Sequence, residues 1–337
     1  MKGHRAAGVF GVLVSVFLIV LPLLAVAAET PRLQFLPDQY PRVDGSTSTQ
    51  PLGALVACRL THTSCAWYTH PFNGTRQLHP TTDPYAPEKK LSLEHQRGPS
   101  RMLTKPHAGL SAQTQHSGTH ESYTSLITGT AQLGLAARGP SADELALARE
   151  KGAQIKTLPI ALDAFVFIVN RENPVRDITV DQIRSIYTGK LTDWAQLGGP
   201  KGRIQPYQRD RNSGSQETME KLVMQGLEMV KASNLEMTLS MTGPFNAIRH
   251  DKGGIGYTFY YFDTYMAFMP EIAMLGIRGV NPNPNTIQGR SYPFVAEVVV
   301  AWLSTLPEGT PAAAIRDWLL TNEGQSVVAE SGYVRVK

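Results

Sequence analysis

Three short runs of this sequence place hydroxyls and glycines where a helix is due to begin, and such runs can hold an oxyanion. The first is Gly45-Ser46-Thr47-Ser48-Thr49, ahead of Pro51 and the apolar run from Leu52 to Val56. The second is HSGTHES at 116–122, ahead of a helix that starts at Tyr123. The third is QRDRNSGSQET at 208–218, ahead of Met219-Glu220-Lys221-Leu222. The start of a helix leaves backbone N–H groups unpaired and carries partial positive charge, so an anion is stabilised there. Ser and Thr hydroxyls add neutral donors, and an arginine can grip an oxyanion with two parallel hydrogen bonds. Taken singly, each run also reads as ordinary helix capping. Arg209 and Arg211 could equally pair with Asp210 or Glu217. Three such turns in one chain, one of them with two arginines, point to a ligand held from several sides.

The same residues were weighed for catalysis. His116 and His120 flank Ser117, and Asp44 or Glu121 could orient a base, so a secreted serine hydrolase is the enzymatic alternative. NSGSQET, however, lacks the closing glycine of a Gly-x-Ser-x-Gly elbow. The nine histidines are mostly scattered, with no His-Glu-x-x-His motif, so neither metal catalysis nor a cofactor is expected. Cys58 and Cys65 have six residues between them; with His62 and His70 nearby they match no recognised zinc spacing. In an oxidising compartment a local disulfide is the reading that fits.

The elements that must position these turns begin after residue 28. Lys2, His4 and Arg5 make a basic start, Gly8 to Leu24 is apolar, and Ala25-Val26-Ala27 or Val26-Ala27-Ala28 offers a small-residue cleavage site. Residues 1–28 therefore read as a secretory signal, with an uncleaved anchor as the alternative. Its removal takes away Lys2 and Arg5, leaving 309 residues and lowering the formal charge from +4 to +2, too little for a nucleic-acid partner. A hydrophobic content of 42% with 29 Gly and 23 Pro describes a turn-rich globular chain of about two domains. From Glu121 the pattern alternates: a strand at 131–137, helices at 141–152, 179–190 and 213–227, a long apolar strand at 155–170 interrupted by Pro159, and a strand at 253–262. Two helical runs at 312–332 close the chain, whereas 61–116 reads as an irregular excursion. Strands alternating with helices of this length predict an α/β architecture with parallel sheets.

Order and spacing over most of 40–334 resemble the phosphate ABC transporter substrate-binding proteins of the type II periplasmic binding protein superfamily. The residues that carry the resemblance are DGSTSTQPL, SGTHESYTSLITGTAQLGLAARGPSADE, DITVDQIRSIYTGKLTDWAQLGG, YQRDRNSGSQETMEKLV, GGIGYTFYY and WLLTNEGQSVVAESGYV. It implies two Rossmann-like lobes joined by a hinge. Lobe 1 would comprise 29–160 plus 263–337, lobe 2 would comprise 161–262, and hinge strands would lie near 160–166 and 253–260. It implies a periplasmic or secreted monomer, without catalytic function, that captures inorganic phosphate or a related oxyanion for an ABC permease in the membrane. Carried onto this chain, the anion donors fall on Ser48 and Thr49 with Thr47 beside them, on Ser117, and on Arg209, Ser213, Gly214 and Ser215.

One departure bears on the ligand. Where many relatives place an Asp that accepts a proton from partly protonated phosphate, this chain has Ala137 and Arg138, and no carboxylate follows until Asp143. An acceptor in that place rejects fully ionised sulfate, because two negative groups would face each other unpaired. Arg138 in the site would favour the opposite preference; pointing to solvent, it would be silent. A sensing role for another oxyanion or acidic metabolite is therefore carried alongside transport, with the excursion at 61–115 as a candidate partner surface.

Overall fold

Most helices of the chain start at the capping residue its sequence supplies. In the computed structural model, which describes residues 33–70, 74–83, 105–232, 237–238 and 240–336, Ser141 and Glu144 form a reciprocal capping box, and Thr179 and Gln182 form another. Thr310 and Thr321 cap the two closing helices. The signal at 1–28 lies outside the described residues, and no helix among those described is long and apolar enough to cross a membrane.

In chain order the first half runs β1 (Val43–Gly45), α1 (Gln50–Thr61), β2 (Ser64–Thr69), β3 (Arg76–Thr81), α2 (Ala108–Gln113), α3 (Thr119–Ile127), β4 (Leu133–Ala136), α4 (Ala142–Glu150) and β5 (Ile155–Asn170). There follow β6 (Asp177–Ile178), α5 (Val180–Tyr187), β7 (Gln205–Pro206), β8 (Gln208–Arg209), α6 (Gly214–Thr218), β9 (Met237–Thr238), α7 (Gly243–Ile248) and β10 (Gly254–Phe259). The last part is β11 (Ile272–Met274), β12 (Gly276–Ile277), α8 (Pro284–Gln288), β13 (Val295–Leu303), α9 (Pro311–Trp318), α10 (Asn322–Ser331) and β14 (Val334–Arg335). Single turns of π-helix follow α6 at Met219–Met224 and β10 at Phe262–Ala267.

The main sheet has the order β1-β4-β13-β5-β10-β7, with β11 and β14 also on β5. It is mixed rather than parallel. β1–β4 and β10–β7 are parallel, but β13 runs antiparallel to both β4 and β5, and β10 runs antiparallel to β5. Local alternation predicts crossovers; it does not reveal that β13, from far along the chain, is inserted between β4 and β5. From Ile160 to Asn170 every residue of β5 is buried, as expected of a strand covered on both faces. Pro159 does not interrupt it: the ladder slips at Val298/Val299, pairing Val299 with Pro159 and Val298 with Ala161. Such a bulge accommodates a residue that has no N–H to offer.

The stretch predicted as irregular contains, among its described residues, the antiparallel hairpin β2–β3 and the helix α2. Its order comes from tertiary ties. Cys58 of α1 and Cys65 of β2 form a disulfide with Cα atoms 6.0 Å apart, as expected for the pair. The Gln50 amide, at the first turn of α1, grips the Leu78 backbone on both sides: it accepts from the N–H at 2.9 Å and donates to the carbonyl.

Asp163 of β5 is buried, accepting from Ala164 N–H at 2.8 Å and Tyr261 N–H at 3.0 Å, while its Oδ2 has no hydrogen-bond partner among the described residues. Burial pushes its carboxyl up to about 7. A folded-state value above the unfolded one gives stability that is complete below the unfolded value and is lost as pH rises through the folded one. The Asp163→Asn variant should therefore gain stability relative to the parent as pH climbs from about 4 to about 7, by an amount of order 4 kcal/mol. Calorimetric unfolding of both proteins across that window is the check; a difference independent of pH would contradict the assignment.

Candidate functional site

At two of the helix starts around one cavity the hydroxyls are not used as caps. Ser46 accepts from Ala137 N–H at 2.9 Å and lies 2.7 Å from Thr119 Oγ1. Thr49 turns inward, its hydroxyl donating to the carbonyls of Ser46 at 2.9 Å and Leu135 at 2.7 Å. Between them, Thr47 and Ser48 line the cavity without a side-chain hydrogen bond among the described residues. At α3 the cap position is taken by Gly118 with φ 126°, a backbone that favours glycine, and a Cβ there would collide with Glu121 Oε2.

Asp44 joins the first two turns. Its Oδ1 accepts from Gly45 N–H at 2.7 Å and Ser117 N–H at 2.9 Å, and its Oδ2 accepts from the Ser125 hydroxyl at 2.8 Å. A carboxylate committed in this way holds loops together; it also lies near enough to His116 to oppose the lowering of that ring's pKa. His116 itself is pushed down to about 4, by desolvation first and then by the neighbouring His79.

The third turn supplies a buried cation. Arg209 closes β8 with 7% of its surface exposed, and its N–H donates to Gln216 Oε1 and Tyr257 Oη, each at 3.1 Å. Its Nη1 lies 3.3 Å from Ser215 Oγ and its Nη2 lies 3.5 Å from Asp210. Desolvation lowers its pKa, with Asp210 opposing, and a cation buried in this way gains from an anion placed beside it. Ser213 and Ser215 hydroxyls sit 2.9 Å apart beside it, and Ser213 also caps α6. Gly214 packs directly on Thr119: a Cβ there would strike Thr119 Oγ1 and come within 2.9 Å of Thr119 Cβ.

These turns converge on a cavity of about 300 Å³ lined by Thr47, Ser48, Ser117, Arg209, Ser213, Gly214 and Ser215. Seven of the nine ligand residues expected from sequence are thus brought together. Thr49 and Arg138 are not among the lining residues. Arg138 turns to the far side, where both Nη atoms reach Glu144 at 2.9 Å and Nη2 meets Glu217 at 2.9 Å. Burial works against its charge, but the Glu144 hydrogen bonds and the two carboxylates hold its pKa above the ordinary value. Glu217 is pushed up to about 7, by burial first, against the pull of Arg138. Arg211 is exposed and faces Asp143 at 3.7 Å.

Sequence reasoning missed several lining residues. Ser240 and Thr242 come from the turn before α7, Phe259 and Phe262 form an apolar side, and Thr75 and Gln77 come from the β2–β3 hairpin. A hydroxyl-x-hydroxyl pattern ahead of Gly243-Pro244 was available for the first pair; the hairpin residues carry no local signal. Glu121 and Asp210 are the carboxylates that border the cavity. Among the described residues no group of three metal-ligating side chains occurs.

Residues 101–314 match the family model of the PBP superfamily domain. The chain is 26% identical to the phosphate-binding protein PstS of Bacillus subtilis, over 70% of this chain and 74% of that one. It is 25% identical to protein SphX of Synechococcus elongatus, over 65% and 67%. Among solved structures, a Clostridium perfringens ABC transporter substrate-binding protein with bound phosphate superposes with a TM-score of 0.61 at 20% identity, covering 88% of this chain and 100% of that one. An ABC-type phosphate transport receptor from Vibrio cholerae superposes at 0.56 and 19% identity, over 87% and 99%. The family match spans more than half of the sequence, and the fold agrees with these structures over most of its length: the chain belongs to the PBP superfamily.

Proposed function

We propose that this chain is an exported, non-catalytic binding protein that captures an oxyanion, inorganic phosphate first, and delivers it as a monomer to an ABC permease in the membrane. The observation that carries the reading is the cavity itself: neutral hydroxyls from three separate turns around the buried Arg209 guanidinium. The Bacillus subtilis relative, similar over 74% of its length, is a phosphate-binding protein, which supports phosphate over other oxyanions. The lobes would be 29–160 plus 263–337 and 161–262, with hinge strands near 160–166 and 253–260, in the region where β5 and β10 pair. The periplasmic or secreted location rests on the leader sequence.

The acceptor expected after β4 is absent, yet Arg138 adds no positive charge to the cavity, being matched by Glu144 and Glu217. Glu121 borders the cavity, whereas Asp210 is drawn to Arg209. A carboxylate facing the anion accepts a hydrogen bond from a protonated oxygen and repels a fully ionised one. Equilibrium binding to residues 29–337 should thus show phosphate bound well ahead of sulfate, with thermal stabilisation that grows with phosphate concentration. Glu121→Gln should narrow the preference by about tenfold or more. Absence of phosphate binding would overturn the function; an unchanged preference would remove Glu121 from selectivity.

A further inference from the structure

The β2–β3 hairpin belongs to no part of the family resemblance, yet two of its residues, Thr75 and Gln77, reach the anion cavity. We propose that Gln77, supported by Thr75, is a ligand-contacting and specificity-determining residue, and that the hairpin is a further wall of the site. This rests on the oxyanion-binding reading above. Gln77 lies opposite Tyr68 in the ladder, and its Oε1 is 3.1 Å from His79 Nε2. Burial lowers the His79 pKa, so near neutral pH the ring is uncharged and its Nε2–H donates to that oxygen. The amide carbonyl is thereby occupied, and both protons of the Gln77 NH₂ group remain for the cavity. A neutral donor pair suits an anion whose main charge partner is already Arg209, adding hydrogen bonds without a second buried cation.

The wall is held in place from two directions. Gln50, next to Thr49, grips the backbone of Leu78, so the strand carrying Gln77 and the loop carrying Thr47 and Ser48 share one anchor. The Cys58–Cys65 disulfide fixes the hairpin to the other end of α1. The distance between the first anion loop and the Gln77 amide is therefore set by α1 itself.

Residues 29–337, with the disulfide formed, would be titrated with inorganic phosphate by calorimetry. Gln77→Glu should weaken binding by about 100-fold or more, because a carboxylate then faces the anion. Gln77→Ala should weaken it by about tenfold. Arg76→Ala, whose guanidinium stacks 5.4 Å from the Trp67 ring, should stay within about twofold of the parent. A measurement independent of any variant is the side-chain ¹⁵N–¹H resonance of Gln77, expected to shift on phosphate saturation. A parent that binds phosphate while Gln77→Glu binds equally well, or while the Gln77 amide stays unshifted, overturns this proposal alone. A parent that binds no oxyanion overturns the functional reading and this proposal with it.

Discussion

Arg209→Ala is expected to weaken phosphate binding by two to three orders of magnitude. Its guanidinium is buried beside Ser215 Oγ and Met241 Sδ, with Asp210 3.5 Å away on one side. Removing one member of a buried charge pair costs about 2–5 kcal/mol, and each 1.36 kcal/mol is a factor of ten. Arg209→Lys should fall between parent and alanine, because an ammonium keeps the charge but loses the two-pronged geometry. In the absence of phosphate the alanine variant should unfold within a few degrees of the parent, since Asp210 is partly exposed and the lost cation was itself desolvated. Calorimetric titration and thermal unfolding with and without phosphate separate these effects. An affinity within about fivefold of the parent would mean that the guanidinium does not contact the ligand.

Gly214→Ala should have the second largest effect, by a route that leaves every donor in place. The added methyl would run into Thr119, which is buried, with its hydroxyl 2.7 Å from Ser46 Oγ. Thr119 is held by burial and by Ser46, so α6 must move away from α3, and the Ser213–Ser215 turn moves away from Ser117. A misplacement of about 1 Å in such a constellation costs on the order of 100-fold. Overpacking of this kind costs stability as well, about 1–3 kcal/mol. The companion change Thr119→Gly removes the atoms that clash and should restore much of the affinity in the double variant. If the single variant binds phosphate like the parent, the two turns do not act on the same anion.

What the sequence shows and hides at this site follows from the range of each interaction. The three donor turns are legible because a hydroxyl cluster ahead of a helix is a local pattern. Thr49 and Arg138 each fail by one position. Thr47 to Thr49 form one tight helical turn, in which Thr49 points to the Ser46 and Leu135 carbonyls; beyond Ala137, which lines the cavity, Arg138 lies on the opposite side against Glu144. Alternation along an extended chain sends neighbours to opposite faces, so a one-residue uncertainty reverses the reading. Thr75 and Gln77 are hidden for another reason: their place depends on Gln50, Leu78 and the disulfide, which no window of local sequence contains. The α/β class was legible from periodicity, whereas the antiparallel direction of β13 was not, because its partners β4 and β5 lie more than a hundred residues earlier.

The end of the chain holds its beginning. The Tyr333 hydroxyl donates to the Ser48 carbonyl at 2.9 Å, its ring stacks on Tyr261 at 3.8 Å, and Val334 pairs with Leu162 of β5. A polypeptide is made from its N-terminus, so the loop at 46–49 is synthesised almost three hundred residues before the tyrosine that braces it. Contacts of such separation form late in folding, because the intervening loop must first be closed. A nascent or C-terminally shortened chain would carry all three donor turns and still lack a finished cavity. Phosphate capture is therefore expected only after the segment carrying Tyr333 has been made and has docked on the first donor loop.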